Sequence, residues 1–177
     1  NANVSYDGAL RDLENMTNLG IKCDPKNPES WLFKGRIFGD LFENKIAKSS
    51  ELAEKSIIEG EKYAPANPTY PFQLGMLYLQ NDRTVGFIDR MNDAIDLKYD
   101  YMPAYKALYK YYYDLKNQDE VNKLTQRILN TSYISGDFIR DLREMVDMAT
   151  AHNDVATATA LKQVHDKFYQ MHVDFDK

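Results

Sequence analysis

Three histidines and one cysteine are the side chains here best suited to hold a metal ion or attack a substrate. His165 and His172 are seven residues apart, with Asp166, Asp174 and Asp176 close in sequence. On a helix that spacing puts both rings on one face, about 10 Å apart along the axis. Two ligands of one ion must sit closer than this, so both are expected as exposed histidines on a terminal helix. His152 lies alone. Cys23 has no histidine beside it, and a lone cysteine near a helix end is expected to pack rather than react. With a single cysteine, neither an internal disulfide nor a cysteine-based zinc site is possible. The eight glycines form no phosphate-binding loop, and no zincin or nucleophile-elbow motif occurs. Scattered carboxylates read as the solvated faces of helices. No catalytic residue, metal ion or cofactor is therefore expected.

The elements around these residues have a clearer signature. The six prolines fall only at 25, 28, 65, 68, 71 and 103, leaving long unbroken stretches between them. Breakers so confined suit helices joined by short turns. The 177 residues suffice for one compact domain or a short stack of repeats, and 44% hydrophobic content suits a folded chain. A formal charge of −5 argues against binding nucleic-acid phosphates, and no apolar run is long enough to span a bilayer. Asn3, Asn15 and Asn130 begin Asn-x-Ser/Thr triplets, which chance explains in so Asn-rich a chain. The start, Asn1-Ala2-Asn3-Val4-Ser5, is expected to be that of a processed protein or a cut-out domain.

The sequence repeats itself. Gly20-Ile-Lys-Cys-Asp-Pro-Lys-Asn-Pro aligns with Gly60-Glu-Lys-Tyr-Ala-Pro-Ala-Asn-Pro at an offset of 40 (20 to 60), which also pairs Gly35 with Gly75 and Phe38 with Tyr78. An offset of 34 then pairs Leu74 with Leu108, Tyr78 with Tyr112 and Ile95 with Leu129. The two differ by six residues, which fit Glu43–Lys48 as one loop insertion.

The period and its residues resemble the tetratricopeptide repeat (TPR) family. The pattern of its first helix is met by Trp31, Gly35 and Phe38, by Leu74, Gly75 and Tyr78, and by Tyr105, Leu108 and Tyr112. That of the second is met by Ala53, Ile57 and Gly60 and by Phe87, Met91 and Ala94, then loosely by Val121, Thr125 and Ile128. The closing proline is present at Pro25 and Pro65 and replaced by Tyr99. The resemblance implies an all-α fold, with antiparallel helical hairpins stacked as a right-handed superhelix. It divides one repeat domain into an N-terminal helix (1–25), a repeat with the insertion (28–65), a second repeat (68–99), a degenerate third (102–133) and a capping pair (137–172). Helices are expected near 5–20, 28–43, 49–63, 71–81, 84–97, 102–116, 118–130, 138–151 and 154–172. Asn27, Asp137 and Asp154 are the expected N-caps, and Pro71 is expected to delay its helix past Tyr70.

In that family the first helix of each hairpin lines a concave face, which implies a non-catalytic scaffold holding a peptide or protein segment. Phe72, Met76 and Leu79 form a second apolar stripe at i, i+4 and i+7. By the same register Leu32 and Arg36 face the groove from one side, and Lys106, Lys110 and Tyr113 from the other. The expectation is an apolar floor with cationic edges, suited to an amphipathic or acidic segment. The Lys-x-x-x-Asn pair of carboxylate-clamping relatives is absent, so chaperone-tail recognition is not implied. Three other readings stay open: an accessory module of a larger membrane or cell-envelope glycan polymerase or ligase, a self-assembling structural module, and a glycan-binding module stacking sugars on Tyr101, Tyr111 or Tyr113. The phrase Trp31–Phe38 is similar to bacterial repeat proteins exported across the inner membrane, which implies an extracytoplasmic setting.

Overall fold

The computed structural model describes the backbone of residues 2–43, 49–131 and 135–175. Side chains are described at 8, 10–40, 49–131 and 135–171. Among these residues the chain is entirely α-helical: α1 (Ala2–Cys23), α2 (Pro28–Glu43), α3 (Ser49–Tyr63), α4 (Thr69–Gln80), α5 (Thr84–Leu97), α6 (Met102–Asp114), α7 (Gln118–Leu129), α8 (Gly136–Ala151) and α9 (Val155–Phe175). The expected insertion falls largely on residues outside this set. Two compact units result, residues 1–97 and 98–177.

In the first unit α2 pairs with α3 and α4 with α5, while α3 and α2 both meet α4, and α1 lies on α2. The pairing follows from small residues at the crossings. A Cβ added at Gly35 would come 2.5 Å from Ile57 of α3, and one at Gly75 would come 2.6 Å from Met91 of α5. Without side chains there, two backbones approach and the neighbouring large residues fill the grooves. Phe38, Ala53, Ile57, Leu74, Phe87, Met91 and Ala94 are all buried around these crossings. Polar ties then fix one hairpin against the next. Glu54 of α3 accepts from Tyr78 Oη at 3.0 Å and takes both carboxylate oxygens to Arg83, whose guanidinium lies over the Tyr78 ring.

In the second unit α6 pairs with α7 and α8 with α9, with α6 on α8 and α7 on α9. Its core is tyrosine-rich: Tyr105, Tyr109, Tyr112 and Tyr113 are buried, and Tyr105 meets Phe138 edge to face at 5.9 Å. Tyr109 Oη lies 2.7 Å from Thr125 Oγ1. Thr125 spends its own proton on the Val121 carbonyl, so Tyr109 is the donor.

Three hairpins turn in the same way. Asp82, Lys116 and Asn153 take left-handed backbone angles, with φ of 57°, 55° and 58°. The next amide in each case bonds back five residues, as Arg83 N to Tyr78 O, Asn117 N to Tyr112 O and Asp154 N to Ala149 O. This C-cap closes the helix, and at Asn117 and Asp154 the following residue caps the next one. It also ends α6 at Asp114, two residues before the expected end.

The caps depart from expectation at two helices. Asn27 accepts from Glu29 N and Asp154 from Thr157 N, both at 3.0 Å. At α8, however, Ser135 rather than Asp137 is the cap, accepting from Phe138 N at 3.3 Å in extended geometry. Asp137 sits in the first turn, where a negative charge is favoured by the helix dipole. α4 begins at Thr69, not Pro71. Pro71 falls in the first turn, where an amide proton has no helical partner anyway. Asn67 accepts from Thr69 N, and full burial of Tyr70 holds that residue helical despite the proline after it.

Candidate functional site

The first helices of the hairpins show which of their faces stay open. Among the described side chains of α2 the exposed ones are Glu29, Phe33, Arg36 and Asp40, one stripe along the helix. Adding the repeat offset of 40 carries Phe33, Arg36 and Asp40 onto Gln73, Met76 and Gln80 of α4. Between the two stripes runs a shallow cleft lined by Arg36, Asp40, Gln73, Met76 and Gln80. Its floor is Gly35, Gly39, Ile57 and Leu77. Gly39, where a Cβ would meet nothing within 4 Å, leaves α2 backbone uncovered there, and Ile57 and Leu77 make the bottom apolar. Arg36 is exposed and makes no ion pair or hydrogen bond among the described residues. Phe33 stands 61% exposed one turn away.

The eight residues picked from sequence divide accordingly. Arg36 and Met76 meet in this cleft. Phe72 and Leu79 are half-buried on α4 and do not line it. Leu32 is 3% exposed and belongs to the core. In the second unit Lys106 is committed to Glu144 of α8 at 2.6 Å, and that hydrogen bond and charge hold the Glu144 carboxyl below its ordinary range. Tyr113 is buried, donates to Asp154 Oδ2 at 3.1 Å, and stacks on His152 with ring centroids 4.5 Å apart. Lys110 alone is exposed, with no ion pair among the described residues. The reason lies in the helical register. Lys106, Lys110 and Tyr113 share one side of α6, where Glu144 and Asp154 of the following hairpin take Lys106 and Tyr113 and Lys110 stays exposed at the margin. The edges of the described cleft are therefore mixed polar rather than cationic.

Asp40, Gln73 and Gln80 were not singled out from sequence. Their signal is the repeat itself, because 33, 36 and 40 fall on 73, 76 and 80 while differing in chemistry. Structural positions keep their apolar character between repeats, whereas these three change from Phe, Arg and Asp to Gln, Met and Gln.

Among the described residues the histidines and the cysteine form no centre. His165 Nδ1 lies 2.9 Å from Asp166 Oδ1 and its ring stacks on Tyr169. The side chains of His172, Asp174 and Asp176 lie outside the described residues. Among the described residues no group of three His, Cys, Asp or Glu is placed to hold a metal ion. Cys23 is exposed rather than packed, because α1 ends there and the turn to Asn27 leads away. Tyr101 and Tyr111 are half-buried, and Tyr111 packs edge-on to Tyr112 at 5.5 Å. No helix among the described residues is long and apolar enough to cross a membrane.

No protein-family model matches the chain, and no curated protein sequence does. Two solved structures of MamA, a TPR-like protein, are similar to it. One aligns over 98% of this chain and 94% of its own, with a TM-score of 0.55 and 18% identity. The other aligns over 99% and 89%, with a TM-score of 0.53 and the same identity. At that identity the likeness is one of fold: this chain is an all-α helical repeat of TPR-like type.

Proposed function

We propose that this protein is a non-catalytic scaffold that seats a peptide or protein segment against the open faces of its first helices, with the α2–α4 cleft as the principal contact. The observation that carries the reading is Arg36. An exposed guanidinium with no ion pair or hydrogen bond among the described residues stands over a floor of Gly39 backbone and aliphatic side chains. A planar cation in that setting suits a carboxylate of the bound segment. Gln73 and Gln80 offer amide donors and acceptors to a backbone lying along the cleft, and Met76 supplies an adaptable apolar contact. In the second unit, taken by itself, Lys110 is an exposed cation of α6. Phe72 and Leu79 are flanking contacts, and the buried Leu32 and Tyr113 are left out.

The test is retention of partners from the source organism on immobilised protein, native against an Arg36→Glu, Met76→Asp variant, with circular dichroism confirming that the variant is folded. The expected result is a retained protein whose capture falls roughly tenfold or more, equivalent to about 1.4 kcal/mol. An Arg36→Lys variant should lose less, because it keeps the charge but not the fork. Equal retention by native and doubly substituted protein would overturn the reading.

A further inference from the structure

The helix α1 occupies the place of a second helix whose hairpin partner is not among the described residues. The offset of 40 sets Leu13, Met16, Thr17, Gly20 and Ile21 of α1 on Ala53, Ser56, Ile57, Gly60 and Glu61 of α3. Both helices use the same side to meet the hairpin that follows. On α1, Ile21 is buried, and Asn18 accepts from Lys34 of α2 at 2.9 Å; Thr17, whose equivalent Ile57 lies against Gly35 of α2, is also buried and turns its hydroxyl to the Leu13 and Glu14 carbonyls. On α3, Glu61 bonds to Arg90 of α5.

The other sides differ. Ala53 and Ser56 are buried where α2 covers α3, at 0% and 2% exposed. Their equivalents are not: Leu13 is half-buried and Met16 is 68% exposed, with Leu19 beside it at 61%. The glycines show which neighbour is lacking. A Cβ at Gly60 would lie 2.6 Å from the Tyr70 ring, 2.9 Å from Trp31 Cβ and 3.2 Å from the Pro28 carbonyl oxygen. A Cβ at Gly20 would meet Ser30 Oγ at 3.8 Å and nothing else within 4 Å. Ser30 stands where Tyr70 stands. The contacts without a counterpart are those of Trp31 and Pro28, which belong to the first helix of the hairpin.

We propose that this face of α1 docks an amphipathic helix of the first-helix type, bearing a large residue, a glycine or alanine, and an aromatic at i, i+4 and i+7, which completes a hairpin with α1. The occupant follows from continuity with interfaces already present. Trp31, Gly35 and Phe38 of α2, and Pro71, Gly75 and Tyr78 of α4, cover the equivalent faces of α3 and α5. The docked helix brings its small residue to the crossing near Thr17 and its large residues onto Met16 and Gly20. It also shields Ile37 of α2, which is half-buried where its equivalent Leu77 is 3% exposed. This surface rests on the repeat equivalence and not on the α2–α4 cleft, so either can fail alone.

The probe is a capped synthetic peptide of the Pro28–Glu43 sequence, titrated against the full chain and followed by fluorescence anisotropy of a terminal dye. The chain's own α2 keeps its place, because an intramolecular segment is present at high effective concentration. The vacant face is then the site left for the added copy. Saturable binding is expected. It should weaken roughly tenfold or more in Met16→Asp protein, and with a peptide carrying Gly35→Leu, yet stay unchanged in the Arg36→Glu, Met76→Asp protein. Absence of saturable binding, or equal binding by Met16→Asp protein, overturns the proposal. So does a dimer in sedimentation that Met16→Asp dissociates and the peptide does not, since the occupant would then be a second copy.

Discussion

Replacing Gly60 with alanine should destabilise the first unit by about 1 kcal/mol net, although alanine is the better helix former. The added methyl falls among three neighbours from two helices: the Tyr70 ring, Trp31 Cβ and the Pro28 carbonyl oxygen. None is the loose end of a flexible chain. Tyr70 is fully buried, and burial pushes its phenol up to about 12, so it stays neutral and fixed. Overpacking of this kind costs about 1–3 kcal/mol, against roughly 1 kcal/mol that alanine gains over glycine in a helix. At Gly39 the balance reverses, because a Cβ there meets nothing within 4 Å. Gly39→Ala should stabilise by about 0.5–1 kcal/mol. Urea unfolding of the two variants decides the matter, and a shift of the same sign for both would show that the crossing at Gly60 is not tight.

Asp154→Ala should cost the second unit about 2–4 kcal/mol, because that carboxylate is shared by three helices. Its Oδ1 caps α9 through Thr157 N at 3.0 Å. Its Oδ2 accepts from Tyr113 Oη of α6 at 3.1 Å and from Gln118 Nε2 of α7 at 2.6 Å. Loss of a cap costs about 0.5–2 kcal/mol, and leaving the buried Tyr113 hydroxyl unpaired adds about 1–3 kcal/mol, not fully additively. The same group predicts a pH dependence. Partial burial raises the Asp154 pKa, but the hydrogen bonds from Thr157, Gln118 and Tyr113 outweigh it and leave the carboxyl below its ordinary range. A folded-state pKa below the unfolded one gives stability that is complete above about pH 4 and lost as pH falls through the folded value. Asp154→Asn should keep the cap, lose some stability at neutral pH, and fall less than native protein on acidification. Parallel acid profiles for the two would contradict the assignment.

Much of the architecture was legible from residues whose reason for conservation between repeats is steric. Gly35 and Gly75 mark crossings because no side chain fits there, and Phe38 and Tyr78 recur because the space beside each crossing must be filled. The prolines and the Asn27 and Asp154 caps placed helix starts. Two starts were misplaced because local preference competes with tertiary packing. Ser135 caps α8 instead of Asp137, and buried Tyr70 stays helical before Pro71. The interaction surface was harder to place. A stripe of apolar residues at helical spacing cannot tell a partner's face from the next hairpin's face. For Lys106 and Tyr113 that next hairpin was the answer, through Glu144 and Asp154. The open stripe shifts by about one residue around the helix, to Arg36, Gln73, Met76 and Gln80. Polar residues of mixed kind carry little periodic signal.

The measurement that addresses the scaffold most directly is site-specific photocrosslinking in the source organism. A benzophenone side chain replaces Gln73, in the α2–α4 cleft, or Val85, which is 72% exposed on α5 of the same unit. The expected result is a discrete protein adduct from position 73 that is lost when Arg36→Glu is added, and none from position 85. Adducts from 85 but not 73, or an adduct from 73 indifferent to Arg36, would place the partner elsewhere and contradict the account.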